Sequence, residues 1–170
     1  MWRMGGRPGW SVDNWFLDPA RSGGMLLDLH IHDVDYVGSV FGMPDSLDVM
    51  GRMSAGAKTY DVVHANFAYK DGPQVHMHAG WSAAQIPFQA GFEAWFDRGF
   101  LVYDDGVLQV YDDMEKVDAK SVDYERGDGY LNEIAYFLRC VEAGIEPAEC
   151  LPKSTRDSVR LIEREIAAMR

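Results

Sequence analysis

From Ser46 onward the hydrophobic pattern of this chain has a period of two, and it repeats six times before residue 114. The runs are SLDVMGRMSA (46–55), YDVVHANFAYK (60–70), PQVHMHAGWS (73–82), GFEAWFD (91–97), GFLVYDD (99–105) and VLQVYDD (107–113). Alternation of this kind sends successive side chains to opposite faces of a strand. The turn pairs Asp71-Gly72, Arg98-Gly99 and Asp105-Gly106 lie between runs and favour tight hairpins. Parallel neighbours need a crossover of a dozen or more residues, usually a helix, and the gaps hold none. The pattern therefore predicts a mostly antiparallel, open-faced sheet of about six strands and excludes a doubly wound parallel sheet.

Helical spacing flanks the sheet. Ser22 can cap a helix running to Phe41, with Leu27, Ile31, Val34 and Phe41 inward, Leu26, Val37 and Val40 beside them, and Gly42 and Pro44 as the stop. Residues 130–143 predict a second helix that buries Leu131, Ile134, Ala135, Leu138 and Val141 and ends at Gly144. Residues 155–169 predict a third, with Ser154 and Asp157 as a capping box and Val159, Ile162, Ile166 and Met169 inward. Residues 1–21, rich in Gly, Pro and Trp, read as an irregular or extended lead-in; Trp2, Trp10 and Trp15 there call for something to pack against. With 170 residues, 47% of them hydrophobic, the chain can bury a core as one α+β domain, 1–170: a helix, an antiparallel sheet, then two helices.

The net charge of −11 argues against nucleic-acid or anionic-membrane partners, which need a basic footprint. No apolar run is long enough to span a bilayer, and MWRMGGRPGW lacks the apolar stretch of a signal peptide. Cys140 and Cys150 match neither a metal knuckle nor a disulfide scaffold. A soluble, cytoplasmic setting is expected.

The stretch SGGMLLDLHIHDVDYV (22–37) concentrates the chemistry. Read as a strand, His30 and His32 face one way and, with the second pair His76 and His78, could chelate a divalent ion, as in a metal-dependent hydrolase or isomerase. Read as a helix, Asp28 and His32 stand at i and i+4, with Asp35 and Ser39 following on that side, and His30 points elsewhere. A carboxylate one turn from an imidazole fixes its tautomer and raises its basicity, which suits proton transfer near neutrality. It is also a common solvated helix face.

The run NWFLDPARSGGMLLDLHIHDVDYVGSVFGMPDSLDV resembles the start of the C-terminal domain of the Gfo/Idh/MocA oxidoreductases, the family of glucose–fructose oxidoreductase and inositol dehydrogenase. Trp15, Asp18, Ser22-Gly23-Gly24, Asp28, His32 and Asp35 fall on the family's Trp, Asp, Gly-rich turn and D-x-G-x-H-x-x-D motif. The hairpins of FEAWFDRGFLVYDDGVLQVY and the closing YLNEIAYFLRCVEAGIEPAECLPKSTRDSVRLIEREIAAM are similar as well. The resemblance implies hydride transfer between a sugar or polyol carbon and NAD or NADP. It implies His32 as the acceptor of the hydroxyl proton, Asp28 as its support and a substrate ligand, and Asp35 and His30 as orienting or substrate-binding residues near the pocket. It also implies a homo-oligomer formed through the open sheet face, where His64, His76 and His78 lie.

The family's nucleotide half is missing from this sequence. No strand is followed by G-x-G-x-x-G. The family's E-K-P lysine has no counterpart, since Glu115-Lys116-Val117 lacks the proline. His30 stands where the family usually has glycine. The chain is thus expected to bind no cofactor alone, to lack activity alone, and to need an N-terminal Rossmann partner. A non-catalytic dimerisation or ligand-binding module of the same fold is the competing expectation.

Overall fold

The computed structural model describes residues 1–113, 119–122 and 127–169; Glu115-Lys116-Val117 lies outside them. The order is β1 (Trp2–Gly6), a 3-10 segment (Val12–Leu17), α1 (Pro19–Ser22), a π turn (Leu26–His30), α2 (Ile31–Phe41), β2 (Ser46–Arg52), β3 (Val62–Ala68), β4 (Gln74–Ser82), β5 (Gln89–Phe96), β6 (Gly99–Asp104), β7 (Val107–Tyr111), β8 (Lys120–Ser121), α3 (Gly129–Ala143) and α4 (Pro152–Ala168). The architecture is α+β, and all six period-two runs are strands.

The sheet has eight strands in the order β2-β3-β4-β1-β5-β6-β7-β8. Residues 1–21 contribute its centre. β1 pairs in parallel with β4, Trp2 opposite His78 and Gly6 opposite Ser82, and antiparallel with β5, Trp2 opposite Gly91. All other pairings are antiparallel hairpin steps. β1 therefore joins two meanders that would otherwise end at β4 and β5. Gly91 makes this possible: a Cβ there would lie 2.3 Å from Cζ2 of the Trp2 indole, so the ring rests on bare backbone.

One face of the sheet is covered and one is open. Val49, Val63, Ala65, Phe67, Met77 and Ala79 alternate inward and meet Met25, Leu26, Leu29, Val34, Val37, Leu161 and Ile162, all buried. This places the core between β2–β4 and the α2–α4 pair. Residues directly opposite share a face: Trp2, His78, His64 and Met50 form a row on the open side. Imidazoles of His64 and His78 stack there at 4.3 Å and 7°.

Several helix faces differ from their spacing-based expectation. Before α2, Leu27 is exposed and Leu29 buried, and Phe41 is exposed at the far end. The i→i+5 turn at Leu26–His30 explains the first two, because it breaks the 3.6-residue phase. In α4 the inward face is Ser158, Leu161, Ile162 and Glu165, with Ile166 exposed; the two polar residues turn in because partners await them. Its N-cap is Leu151, without a side-chain cap, while the Ser154 hydroxyl donates to Leu151 O and Asp157 pairs with Lys153. No capping box forms.

The expected stripe of α3 is not buried. Leu131, Ile134, Leu138 and Val141 are each more than half exposed, and Cys140 is the residue α3 buries. A well-formed cap explains why the helix exists without that packing: Asp128 accepts from the Tyr130 and Leu131 amides, and Gly144 closes the C-terminus in the left-handed region. No described helix is long and apolar enough to cross a membrane.

Candidate functional site

The glycine turn sets up the candidate site. Asp18 caps α1 by accepting from the Ala20 amide, and Gly23 and Gly24 follow with φ of 79° and 71°, a region open chiefly to glycine. A Cβ on Gly23 would lie 2.4 Å from Leu27 Cδ1, and one on Gly24 2.5 Å from Thr59 Cγ2. The chain then enters the π turn, where the Ile31 amide donates to Leu26 O.

Two sets of side chains leave this turn in opposite directions. Asp28, half-buried, and His32, exposed, are one turn apart on the outer side. Burial pushes the Asp28 carboxyl above its ordinary value, and the charge of His32 draws it back. The two groups are therefore electrostatically coupled. Tyr36 continues the strip at i+4 from His32; its ring lies 6.0 Å from Phe92, which stacks on Tyr103 at 5.5 Å. The result is an acid–imidazole pair on the same strip as an aromatic ledge on the helix side of β5 and β6.

The inward set is fully engaged in packing. His30 is 0% exposed, and its Nε2 lies 3.1 Å from the Glu165 carboxylate of α4, itself 0% exposed. Asp33 is buried and accepts from Arg3 of β1 at 2.9 Å. His32 is thus bracketed by two inward anchors, one to α4 and one to the sheet. Asp35 accepts from the Ser158 hydroxyl, and the Ser39 hydroxyl donates to Tyr36 O. Of the residues singled out from the sequence, Asp28 and His32 come together; His30 and Asp35 turn to α4.

The four histidines of the metal alternative are divided. His30 is in the core, His32 on the outer side of α2, and His76 and His78 on the opposite, open face of the sheet. His76 Nδ1 lies 2.9 Å from Asn66 Oδ1. Among the described residues no group of three or more His, Cys, Asp or Glu is arranged to hold a metal ion.

Three clefts can be outlined: about 1080 Å³ between α3 and the loop before α4, about 740 Å³ between α2 and α4, and about 330 Å³ around Arg7, Asp13 and Lys58. None of these is lined by Asp28 or His32.

Glu165, Arg3 and the ledge of Tyr36, Phe92 and Tyr103 escaped sequence reasoning. Glu165 left a signal: it follows Leu161 and Ile162 at helical spacing, so an acid sits in the apolar register. Arg3 left none, because its reach depends on β1 entering the sheet.

In the glycine-rich turn that leads into a helix, the Leu27 and Thr59 side chains occupy the space beside the backbone that a pyrophosphate takes in a dinucleotide site.

Comparison with known proteins identifies the fold. The model of the GFO/IDH/MocA C-terminal domain matches residues 2–102. No curated protein matches the sequence. Among solved structures, UDP-N-acetylglucosamine 3-dehydrogenase from Acidithiobacillus ferrooxidans superimposes with a TM-score of 0.76 at 19% identity, covering 99% of this chain and 51% of its own. Aldose–aldose oxidoreductase from Caulobacter crescentus gives 0.78 at 13%, covering 98% and 52%. Biliverdin reductase from Synechocystis, solved with biliverdin and NADP+, gives 0.76 at 11%, covering 99% and 54%. At these identities the likeness shows a shared fold, and this chain spans about half the length of each. By its match over residues 2–102, the chain belongs to the GFO/IDH/MocA family and carries that family's C-terminal domain.

Proposed function

We propose that this chain is the substrate-binding and proton-accepting half of an NAD(P)-dependent oxidoreductase that acts on a sugar or polyol hydroxyl. The observation that carries the reading is the Asp28–His32 pair: half-buried acid and exposed imidazole, one turn apart, coupled in charge, and held on the outer side of a turn anchored from beneath. His32 accepts the hydroxyl proton as the carbinol carbon is oxidised, and Asp28 holds the imidazole and a neighbouring substrate hydroxyl. Tyr36, Phe92 and Tyr103 offer ring faces to the C–H face of a sugar. Of the three similar proteins named above, one is a UDP-N-acetylglucosamine dehydrogenase, one an aldose–aldose oxidoreductase and one a biliverdin reductase, so the shared fold leaves substrate choice to such side chains.

The nicotinamide nucleotide is supplied by a half of the protein outside this chain, and the isolated chain is inactive. NADH and NADPH fluorescence titrations test this. Binding is expected only for a longer protein that carries upstream sequence; tight binding by residues 1–170 alone would overturn the reading.

A further inference from the structure

The buried contact between the π turn and α4 has more structure than packing requires. Filling that space would take one leucine or phenylalanine, with no polar group to desolvate. Instead His30 and Glu165, both 0% exposed, meet at 3.1 Å across 135 residues of sequence. Among the described residues His30 Nδ1 has no hydrogen-bond partner, so the ring proton belongs on Nε2, where Glu165 accepts it. A buried polar contact of this kind is a poor source of stability and a good way to fix one register among several. Here the register matters: His30 lies at the end of a turn whose bond runs i→i+5, midway between Asp28 and His32. A turn relaxed to i→i+4 would rotate one of the pair relative to the other. A second contact fixes α4 along α2 in the same antiparallel sense, Ser158 to Asp35.

We propose that Glu165 is a positioning residue: acting through His30, it holds the Leu26–His30 π turn in the form that keeps Asp28 and His32 together on the outer face. This rests on the reading of that pair as the proton-accepting site. It makes α4, whose side chains do not line the pair, part of the site's construction.

The test uses the 170-residue chain and requires no turnover. The charge coupling of the pair is read as the change in the Asp28 carboxyl titration, by carbon-detected NMR, between the native chain and His32→Asn. The π bond is read as hydrogen exchange of the Ile31 amide. In Glu165→Leu the coupling is expected to vanish and the Ile31 exchange rate to change at least tenfold as its bond leaves Leu26 O, while Val63 and Ala65 in the core stay protected. In Glu165→Gln, whose amide oxygen still accepts from Nε2, both are expected to stay native. A folded Glu165→Leu with native coupling would reduce the contact to core filling, and loss of coupling in Glu165→Gln would remove the hydrogen bond from the explanation. Should Glu165→Leu not fold, Glu165→Asp, which withdraws the carboxylate by one methylene, is read in the same way; unchanged coupling and exchange there overturn the proposal. Absence of oxidoreductase activity in the longer protein would undo the functional reading and leave these NMR outcomes unaffected.

Discussion

At the scale of single residues, charges decide what the site can do and how the fold responds to acid. Asp28 titrates against two opposing influences, burial upward and His32 downward. His32→Asn removes the charge that draws the Asp28 carboxyl down. The Asp28 titration is then expected to move further up, as NMR would show; a move downward would mean that the pair does not communicate. Asp61 behaves in the opposite sense. Burial alone would raise its carboxyl, but the Arg7 guanidinium at 2.6 Å and the Ser54 amide and hydroxyl hold it below the ordinary range. A depressed folded value means a stabilisation that is complete above about pH 3.9, the unfolded value, and is lost as the pH falls through the folded one. Asp61→Asn is expected to cost roughly 1–3 kcal/mol at neutral pH and to flatten the acid limb of urea-unfolding midpoints measured between pH 7 and pH 3. Arg7 and Asp61 lie 54 positions apart, a pairing no local pattern could announce, whereas Asp28 and His32 were legible because a helix converts spacing into adjacency.

At the scale of elements, sequence periodicity located every strand from β2 to β7 and failed where an element depended on a distant partner. β1 reads as loop because Gly5, Gly6 and Pro8 dominate its neighbourhood; it is a strand because β4 and β5 leave a gap of one strand and Gly91 leaves room for Trp2. Gly91→Val is therefore expected to destabilise the chain by about 1–3 kcal/mol through overpacking against the indole, seen as a lower urea midpoint, and a neutral outcome would show that the indole yields. The α3 stripe failed for a different reason. Its residues have helical spacing, but the described chain sets no core against them. Leu138→Ser is expected to shift stability by no more than about 0.5 kcal/mol, while Phe67→Ala, at 0% exposure in β3, should cost about 3–5 kcal/mol. Equal costs for the two would contradict the exposed placement of α3. The π turn was equally invisible, since the residues of SGGMLLDLHIHDVDYV carry no mark of an i→i+5 bond; only the acid at position 165, in an apolar register, hinted that something polar lay beneath.

At the scale of the whole molecule, the described chain builds one hydrophobic core between its sheet and two helices. Its sheet, α2 and α4 enclose the buried residues, while His32 is exposed beside a half-buried Asp28 and the glycine turn is backed by Leu27 and Thr59. The fold spans about half the length of similar proteins, and the proposed function assigns the acid–imidazole pair to this half. The decisive measurement is the single-turnover rate of nicotinamide reduction by a polyol or sugar substrate in the longer protein, compared between native and His32→Asn forms at equal nucleotide saturation. The rate should fall by about 10²–10⁴-fold with nucleotide affinity unchanged. An undiminished rate in His32→Asn would show that the proton goes elsewhere and that this half of the protein does not perform the chemistry assigned to it.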